Sequence, residues 1–428
     1  MNAVTLVRQT AFLSASHFIV RLLGFVLRIW LSRELGAKAV GLVELTHSAQ
    51  MLLITPVVSG LPAAVSRMCA RSQSARQARI LRCGVCLALL TGLPVAALAF
   101  VFRTPLALWL GDLRTLPALL VYLPCIPILG VSCALNGYFY GRGSPVPPAL
   151  SELLEQVVRL LLCFRLTALF RGWPLMLRAA IPAAAALAGE TVALALMLLI
   201  AAKVLLLTPG EGSRRAILRE LASLSLPLTG IRLVSALMRA AQSALIPARL
   251  IRSGLPAAEA LSRLGMVSGM LMPMLTLPSF VTCSLCMVAA PELARRQAKG
   301  APQRPLVRRI LAGTMAAGVG AMAAVFLAAP LIAGPLYRQA ELLPLLRRCC
   351  PLVPVMALNQ VIGGLMNGLG RQNTSLRIAL FSNLLAVLLM YLLAAQPALR
   401  LGGVLLAMAA AQTVTLALGL RALHGAIT

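Results

Sequence analysis

The sequence is poor in the side chains that carry acid–base and metal chemistry. Its 428 residues include 11 aspartates and glutamates and three histidines. A membrane-embedded enzyme needs a cluster of acids, bases or metal ligands, usually at a sizeable external loop. Because the histidines are scattered and the predicted external loops are short, we expect no enzyme, no metal site and no cofactor.

Lysine is also scarce, since it provides three of the 39 basic residues. A net charge of +28 would suggest nucleic-acid binding in a soluble chain. Here the basic residues lie in short loops between apolar runs, where membrane topology and the anionic membrane surface explain most of them. We therefore predict a membrane partner and no nucleic acid. The excess of arginine fits either phosphate recognition or a GC-rich genome.

The ten cysteines form no disulfide framework, because most lie within apolar runs. Cys83 and Cys86, and likewise Cys283 and Cys286, have the spacing of metal or redox ligands. Both pairs fall in predicted membrane helices with no histidine nearby, so we interpret them as packing residues.

Long apolar runs dominate what is present, with 60% of the residues apolar and only 12% charged. This composition predicts an all-α polytopic membrane protein. We predict about twelve transmembrane helices, at residues 11–31, 41–66, 80–102, 116–139, 149–171, 179–206, 221–246, 263–290, 307–329, 346–369, 375–395 and 402–423. Two arginines in the first run do not fit a cleavable signal, so we expect that run to be retained.

The chain repeats a short pattern at the end of two predicted spans. Residues 134–144 read ALNGYFYGRGS and residues 363–373 read GGLMNGLGRQN, with the Gly-Arg pairs 229 residues apart. An even number of spans separates the copies, so both have the same orientation. This predicts two pseudo-symmetric six-helix lobes, residues 1–207 and 208–428, around a central cavity. The basic loops predict that both termini are cytoplasmic.

Four arginines lie inside predicted spans, in two pairs with i, i+7 spacing: Arg21 with Arg28, and Arg232 with Arg239. Such spacing places each pair on one helix face, about 10 Å apart along the axis. Arginine in hydrocarbon is costly and usually faces a water-filled cavity or the interior of a bundle. We predict that the four line a cavity and bind an anionic substrate, since guanidinium suits phosphate. Snorkelling to the interface or structural pairing is the alternative.

Other polar residues are candidates for lining this cavity or for ion coupling. Glu152, Glu155 and Arg159 share a helix face. They form either a salt bridge at the membrane interface or a charged strip that lines the cavity mouth. Glu44 and Glu190 would each neutralise an arginine, carry a coupling proton or lie near an interface. Asn136, Asn359 and Gln360 line the cavity or form hydrogen bonds between helices. We assign His17 and His47 to packing or interfacial positions.

Two segments resemble a known family. RLLGFVLRIWLSRELGAKAVGLVEL (21–45) and NGYFYGRGSPVPPALSELLEQVVRL (136–160) are similar to the stage V sporulation protein B group. That group contains polysaccharide-biosynthesis proteins of the multidrug/oligosaccharidyl-lipid/polysaccharide (MOP) exporter superfamily, and RLLGF is similar to lipid II flippases as well. The resemblance implies two six-helix lobes, alternating access and transport of polyprenyl-diphosphate-linked sugars. It implies a functional cavity arginine at Arg21 and, with a one-residue slip, at Arg28.

We therefore expect a flippase or exporter of a lipid-linked oligosaccharide in the bacterial plasma membrane, acting as a monomer. An H⁺ gradient, an Na⁺ gradient or the membrane potential could set the direction of transport. One alternative is a cation-coupled multidrug exporter, which would need carboxylates rather than arginines in its cavity to bind cationic drugs. Another is a non-transporting sporulation or cell-envelope assembly factor. Many members of the group have fourteen spans, and the extra pair that holds the lipid in relatives is not evident here.

Overall fold

The computed structural model describes residues 3–278, 293 and 302–427, and every described element is helical. The predicted pair Cys283 and Cys286 and the end of the predicted span 263–290 lie outside these residues. The α-helices are α1 (Ala3–Val58), α2 (Leu61–Ala70), α3 (Ser74–Val101), α4 (Arg103–Trp109), α5 (Leu116–Tyr122), α6 (Cys125–Gly141), α7 (Val146–Leu169), α8 (Leu175–Arg178), α9 (Ile181–Ala202), α10 (Arg214–Arg252), α11 (Ala257–Leu264), α12 (Met272–Thr276), α13 (Arg304–Leu331), α14 (Leu342–Cys349), α15 (Leu352–Gly368), α16 (Gln372–Leu393) and α17 (Leu401–Ile427). A 3₁₀ turn covers Leu113–Thr115, and π-helical segments cover Lys203–Leu207, Gly265–Leu271 and Ile332–Leu336.

The all-helical prediction is confirmed for the part of the chain just defined. Seven helical stretches there are long and apolar enough to cross a membrane, and nine if each bent helix pair counts as one span. Large apolar side chains cover the outside of these helices, with Leu199, Leu206 and Leu327 each at least three-quarters exposed. Such a surface suits lipid and not water, so the chain is a polytopic membrane protein.

The predicted count of twelve spans is not confirmed. The first two predicted spans form one helical stretch, Ala15–Ala70, whose 56 residues are far more than one crossing needs. Gly36 interrupts it with φ 78° and ψ 163°, which is outside the helical region and is tolerated there because glycine has no Cβ. The predicted span 149–171 is helical in α7, but its charges set it apart from the apolar stretches.

The contacts divide the chain into two compact units. Unit 1 comprises Met1–Leu35 and Leu42–Ala240, and unit 2 comprises Gly36–Gly41 and Ala241–Thr428. This grouping assigns most of α10 to unit 1. The lobe boundary between residues 207 and 208 stays a prediction.

Each unit contains the same series of packed helices. In unit 1, α3 packs on α6 and α7 packs on α9, while in unit 2 α13 packs on α15 and α16 packs on α17. Helix α6 follows α5 after a bend of 43°, and α15 follows α14 after a bend of 56°. A proline caps the second helix of each bent pair, Pro124 in unit 1 and Pro351 in unit 2.

A matched glycine contact supports the same internal repeat. A Cβ on Gly92 of α3 would lie 3.0 Å from the Cα of Pro127, and a Cβ on Gly318 of α13 would lie 2.8 Å from the Cα of Pro354. Both glycines therefore permit close packing against a helix that begins with proline. The two repeated Gly-Arg turns follow α6 and α15, the helices that contain these prolines.

Candidate functional site

A cavity of about 190 Å³ lies inside unit 1, between the two halves of α1 and helices α5, α7 and α9. Its walls combine apolar residues with polar ones at membrane depth. The polar side chains that line it are Arg28, Glu44, Thr46, His47, Gln50, Gln156 and Arg159. The cavity brings together three of the residues that the sequence predicted, Arg28, Glu44 and Arg159.

The ion pair between Arg28 and Glu44 is central to the cavity. Sixteen residues separate the two, so a straight helix would place them about 24 Å apart. The contact therefore requires the chain to reverse direction between them, at the non-helical backbone of Gly36. Glu44 is 14% exposed and Arg28 is 37% exposed. Glu44 thus compensates the charge of one of the four predicted substrate arginines.

The charged face of α7 forms two further pairs. Arg159 Nη1 donates to Glu155 Oε1 over 3.5 Å, one turn away on the same helix. His17 Nε2 lies 3.4 Å from Glu152 Oε2, which joins α7 to α1. Gln156 lies between these pairs, is buried, and lines the cavity. Glu152, Glu155 and Arg159 therefore lie on one face of α7, where Glu155 pairs with Arg159 and Glu152 lies beside His17, and their place at a cavity mouth stays a prediction.

Close packing of α7 and α9 places Glu190 beside this strip. A Cβ on the preceding residue, Gly189, would lie 2.8 Å from the carbonyl oxygen of Glu155 and 3.5 Å from Cβ of Arg159. Glu190 is half-buried. Within the described residues it forms no hydrogen bond and no ion pair, unlike Glu44 and Glu155.

The four arginines all belong to unit 1. Arg21, Arg232 and Arg239 are exposed, and Arg28 is partly buried. Arg232 Nη1 donates to the carbonyl oxygen of Ser59 over 3.3 Å, at the break between α1 and α2. At the same break, a Cβ on Gly60 would lie 2.3 Å from the carbonyl oxygen of Ser225 in α10. Tight packing of α10 on this break therefore positions Arg232.

The predicted amide residues do not gather at the unit 1 cavity. Asn359 in unit 2 donates from Nδ2 to the backbone oxygen of Gln412 over 2.9 Å and to its Oε1 over 2.8 Å. This bond joins α15 to α17, as expected for an amide that holds helices together. Gln360 is half-buried in the same helix, and Asn136 lies in α6 with its Oδ1 buried and without a hydrogen-bond partner among the described residues.

The sequence analysis did not assign four residues to the site: His17, His47, Gln50 and Gln156. His47 lines the cavity together with Gln50 and Gln156, whereas a packing or interfacial position was predicted for it. The i, i+3 spacing of Glu44 and His47 was the available signal, because it places both on one helix face. His17 was missed as a partner of Glu152, and no local pattern connects residues so far apart in the sequence.

The fold of this chain is similar to that of solved membrane transporters. An inward-facing multidrug resistance MATE family transporter of the MOP superfamily superposes with a TM-score of 0.71 at 18% identity, covering 95% of both chains. The lipid II flippase MurJ in an inward closed conformation gives 0.75 at 12% identity, covering 96% of this chain and 87% of that one. These homologues are transporters and flippases rather than enzymes. At such low identity they show the fold alone, which is similar to that of MATE transporters and MurJ.

The sequence comparisons then identify the family. The chain belongs to the polysaccharide biosynthesis protein family, whose profile matches residues 6–297. Stage V sporulation protein B of Bacillus subtilis is 31% identical over 310 residues, 69% of this chain and 59% of that protein. Sporulation protein YkvU of the same organism is 24% identical over 307 residues, 68% of this chain and 66% of that protein. The predicted resemblance is confirmed, and the matches span less than two thirds of each relative's own length.

Proposed function

We propose that this protein is a flippase or exporter that moves a polyprenyl-diphosphate-linked saccharide across the bacterial plasma membrane by alternating access. Family membership and the MOP fold support transport of this general kind. The substrate class is inferred from three exposed arginines, Arg21, Arg232 and Arg239. They lie within helices that are long and apolar enough to span a membrane. An anionic diphosphate is the chemistry that such guanidinium groups recognise.

The proposed roles of the four arginines differ. Arg21 and Arg239 would bind the diphosphate directly, since both are exposed. Arg232 is anchored by one hydrogen bond to Ser59 and would offer its remaining N–H groups to the ligand. Arg28 would contribute less, because Glu44 compensates its charge.

The carboxylates of unit 1 argue against a cationic-drug exporter. Such a protein would need acidic groups available to a positively charged ligand. Glu44 and Glu155 are instead paired with Arg28 and Arg159. Glu190 remains as the acid best placed to carry a coupling proton, because it lies beside these pairs without an ion pair among the described residues.

Binding of undecaprenyl-diphosphate-sugar to the purified protein in nanodiscs tests the proposal. Native mass spectrometry would compare the wild type with the double variant Arg21→Ala plus Arg239→Ala. The matched control is Arg252→Ala plus Arg348→Ala, which removes two exposed arginines from other positions. We expect selective binding that the first variant loses and the control keeps. An Arg21→Lys plus Arg239→Lys variant should bind weakly, because lysine lacks the bidentate fork.

Two outcomes would count against parts of the proposal. Equal binding by the wild type and the Arg21→Ala plus Arg239→Ala variant would make these arginines structural or interfacial and remove them from the site. No binding by a folded wild-type protein would overturn the substrate class itself. A positive result would be followed by a flipping assay in proteoliposomes.

A further inference from the structure

Three helix ends in unit 1 form a second, basic pocket. The C-terminal end of α2 and the N-terminal ends of α3 and α10 surround about 250 Å³. Arg67, Arg71 and Arg76 line this pocket with Glu220, and Met68 and Leu224 add an apolar part of the wall. None of these residues belongs to the site described above.

The positive charge of this region is poorly compensated. An adjoining pocket on α10 is lined by Arg215 and Arg219 and shares Glu220 with the first. Arg76 Nη2 lies 3.9 Å from Glu220 Oε2, and both side chains are at least half exposed. A pair this long and this exposed contributes little. The two pockets therefore hold five arginines and one glutamate, a formal net charge of +4.

Membrane topology explains how many arginines the loops hold, but it does not explain their convergence. The positive-inside rule depends on which loop carries a basic residue and not on where its side chain lies. Here residues 67–76 meet residues 215–220 across about 140 residues of sequence, at two adjoining pockets that share Glu220. Convergence of like charges is unfavourable unless a counter-charge occupies the space between them.

The pocket lies where three apolar stretches end or begin, so we expect it near the lipid headgroups. The apolar stretch Ala15–Ala70 ends there, and the stretches Ser74–Val101 and Arg214–Arg252 begin there. Helix α3 starts without a side-chain cap from Gln73, so its first backbone N–H groups add positive potential beside Arg71 and Arg76. An occupant must therefore be anionic, and it must be reached from the membrane interface.

We propose that this pocket, bounded by Arg67, Arg71, Arg76 and Glu220, binds the phosphate headgroup of an anionic phospholipid from the leaflet at that end of the helices. The arginines hold the phosphate through bidentate hydrogen bonds, while Met68 and Leu224 contact the start of the lipid chains. This inference uses different residues from the proposed transport site and does not depend on it.

Lipid counting by native mass spectrometry tests the proposal. The protein would be released from nanodiscs that contain phosphatidylglycerol, phosphatidylethanolamine or phosphatidylcholine. We expect retained phosphatidylglycerol in the wild type and about tenfold weaker retention in the variant Arg67→Gln, Arg71→Gln plus Arg76→Gln. The Glu220→Gln variant should retain phosphatidylglycerol more strongly than the wild type, since it removes the opposing charge.

The matched control is the variant Arg304→Gln, Arg308→Gln plus Arg309→Gln, which removes three exposed arginines from the start of α13 in unit 2. We expect it to keep the lipid. If both triple variants lose phosphatidylglycerol equally while their melting temperatures are unchanged, the lipid is held by diffuse attraction to the charged surface. That result would overturn the proposed lipid site. Inorganic pyrophosphate added in detergent should not displace the lipid. Displacement by pyrophosphate would instead identify a site for soluble phosphates.

Discussion

Breaking the Arg28–Glu44 ion pair tests whether Arg28 is a structural partner or a ligand. Two opposite charges about 4 Å apart attract by about 4 kcal/mol at an effective dielectric constant of about 20. Desolvation of the two ions offsets part of this attraction, and Arg28 is 37% exposed, so water screens it further. We therefore expect a coupling free energy of about 1–2 kcal/mol between the two side chains.

The double-mutant cycle uses Arg28→Met, Glu44→Gln and the combined variant. Glu44 is 14% exposed in the intact pair, and removal of Arg28 leaves it without this counter-charge beside the cavity-lining residues His47 and Arg159. We expect Arg28→Met to lower the free energy of unfolding by about 2–3 kcal/mol, and Glu44→Gln by about 1 kcal/mol. The combined variant should cost less than the sum of both. Equilibrium unfolding in mixed detergent micelles measures all four proteins.

Additivity within about 0.5 kcal/mol would refute the structural reasoning, because the two side chains would then not interact. Binding of undecaprenyl-diphosphate-sugar by the same variants decides whether Arg28 is a ligand. If Arg28 contacts the diphosphate, Glu44→Gln should strengthen binding by releasing the guanidinium from its partner, and Arg28→Met should weaken it. If neither variant changes binding, Arg28 has no role as a ligand.

Four further substitutions test the packing. Gly137→Val should lower the free energy of unfolding by about 1–3 kcal/mol in chemical unfolding, because a Cβ there would already lie 2.6 Å from the carbonyl oxygen of Pro62. Gly92→Val and Gly318→Val should each lower the melting temperature, and an effect at only one would contradict equivalent packing in the two units. Arg82→Gln should speed proteolysis after residue 203, since Arg82 donates to the carbonyl oxygens of Val204, Leu205 and Thr208; an unchanged cleavage rate would mean that these bonds do not hold the segment.

Local spacing in the sequence predicted the features that depend on one helix. The Asn-Gly and Gly-Arg pattern located the ends of α6 and α15, and the i, i+4 spacing of Glu155 and Arg159 anticipated their contact. Such features follow from the helix period alone. Apolar composition likewise sufficed for the membrane class and the all-helical fold.

Contacts between distant segments could not be predicted in the same way. The Arg28–Glu44 pair depends on a chain reversal at Gly36, and a lone glycine within an apolar run gives no sign of its φ angle. The basic pocket needs α10 to pack against the break after Ser59, which no periodicity encodes. The composition of the linker suggested a division near residue 207, whereas the contacts keep α10 with unit 1 as far as Ala240.

The difference in charge between the two units bears on function. Helices α7 and α9 of unit 1 contain Glu152, Glu155, Arg159 and Glu190, whereas residues 372–427, which form α16 and α17, contain no acid. Both helix pairs pack along each other, so this packing does not require buried charge. Ionisable groups in a membrane are costly. Unit 2 joins α15 to α17 with the neutral Asn359–Gln412 bond, and its buried Arg249 joins α10 to α16 by donating to the carbonyl oxygen of Tyr391. The acids of α7 and α9 are therefore not required for a helix pair of this kind to pack, and their role in ligand binding or ion coupling stays a prediction.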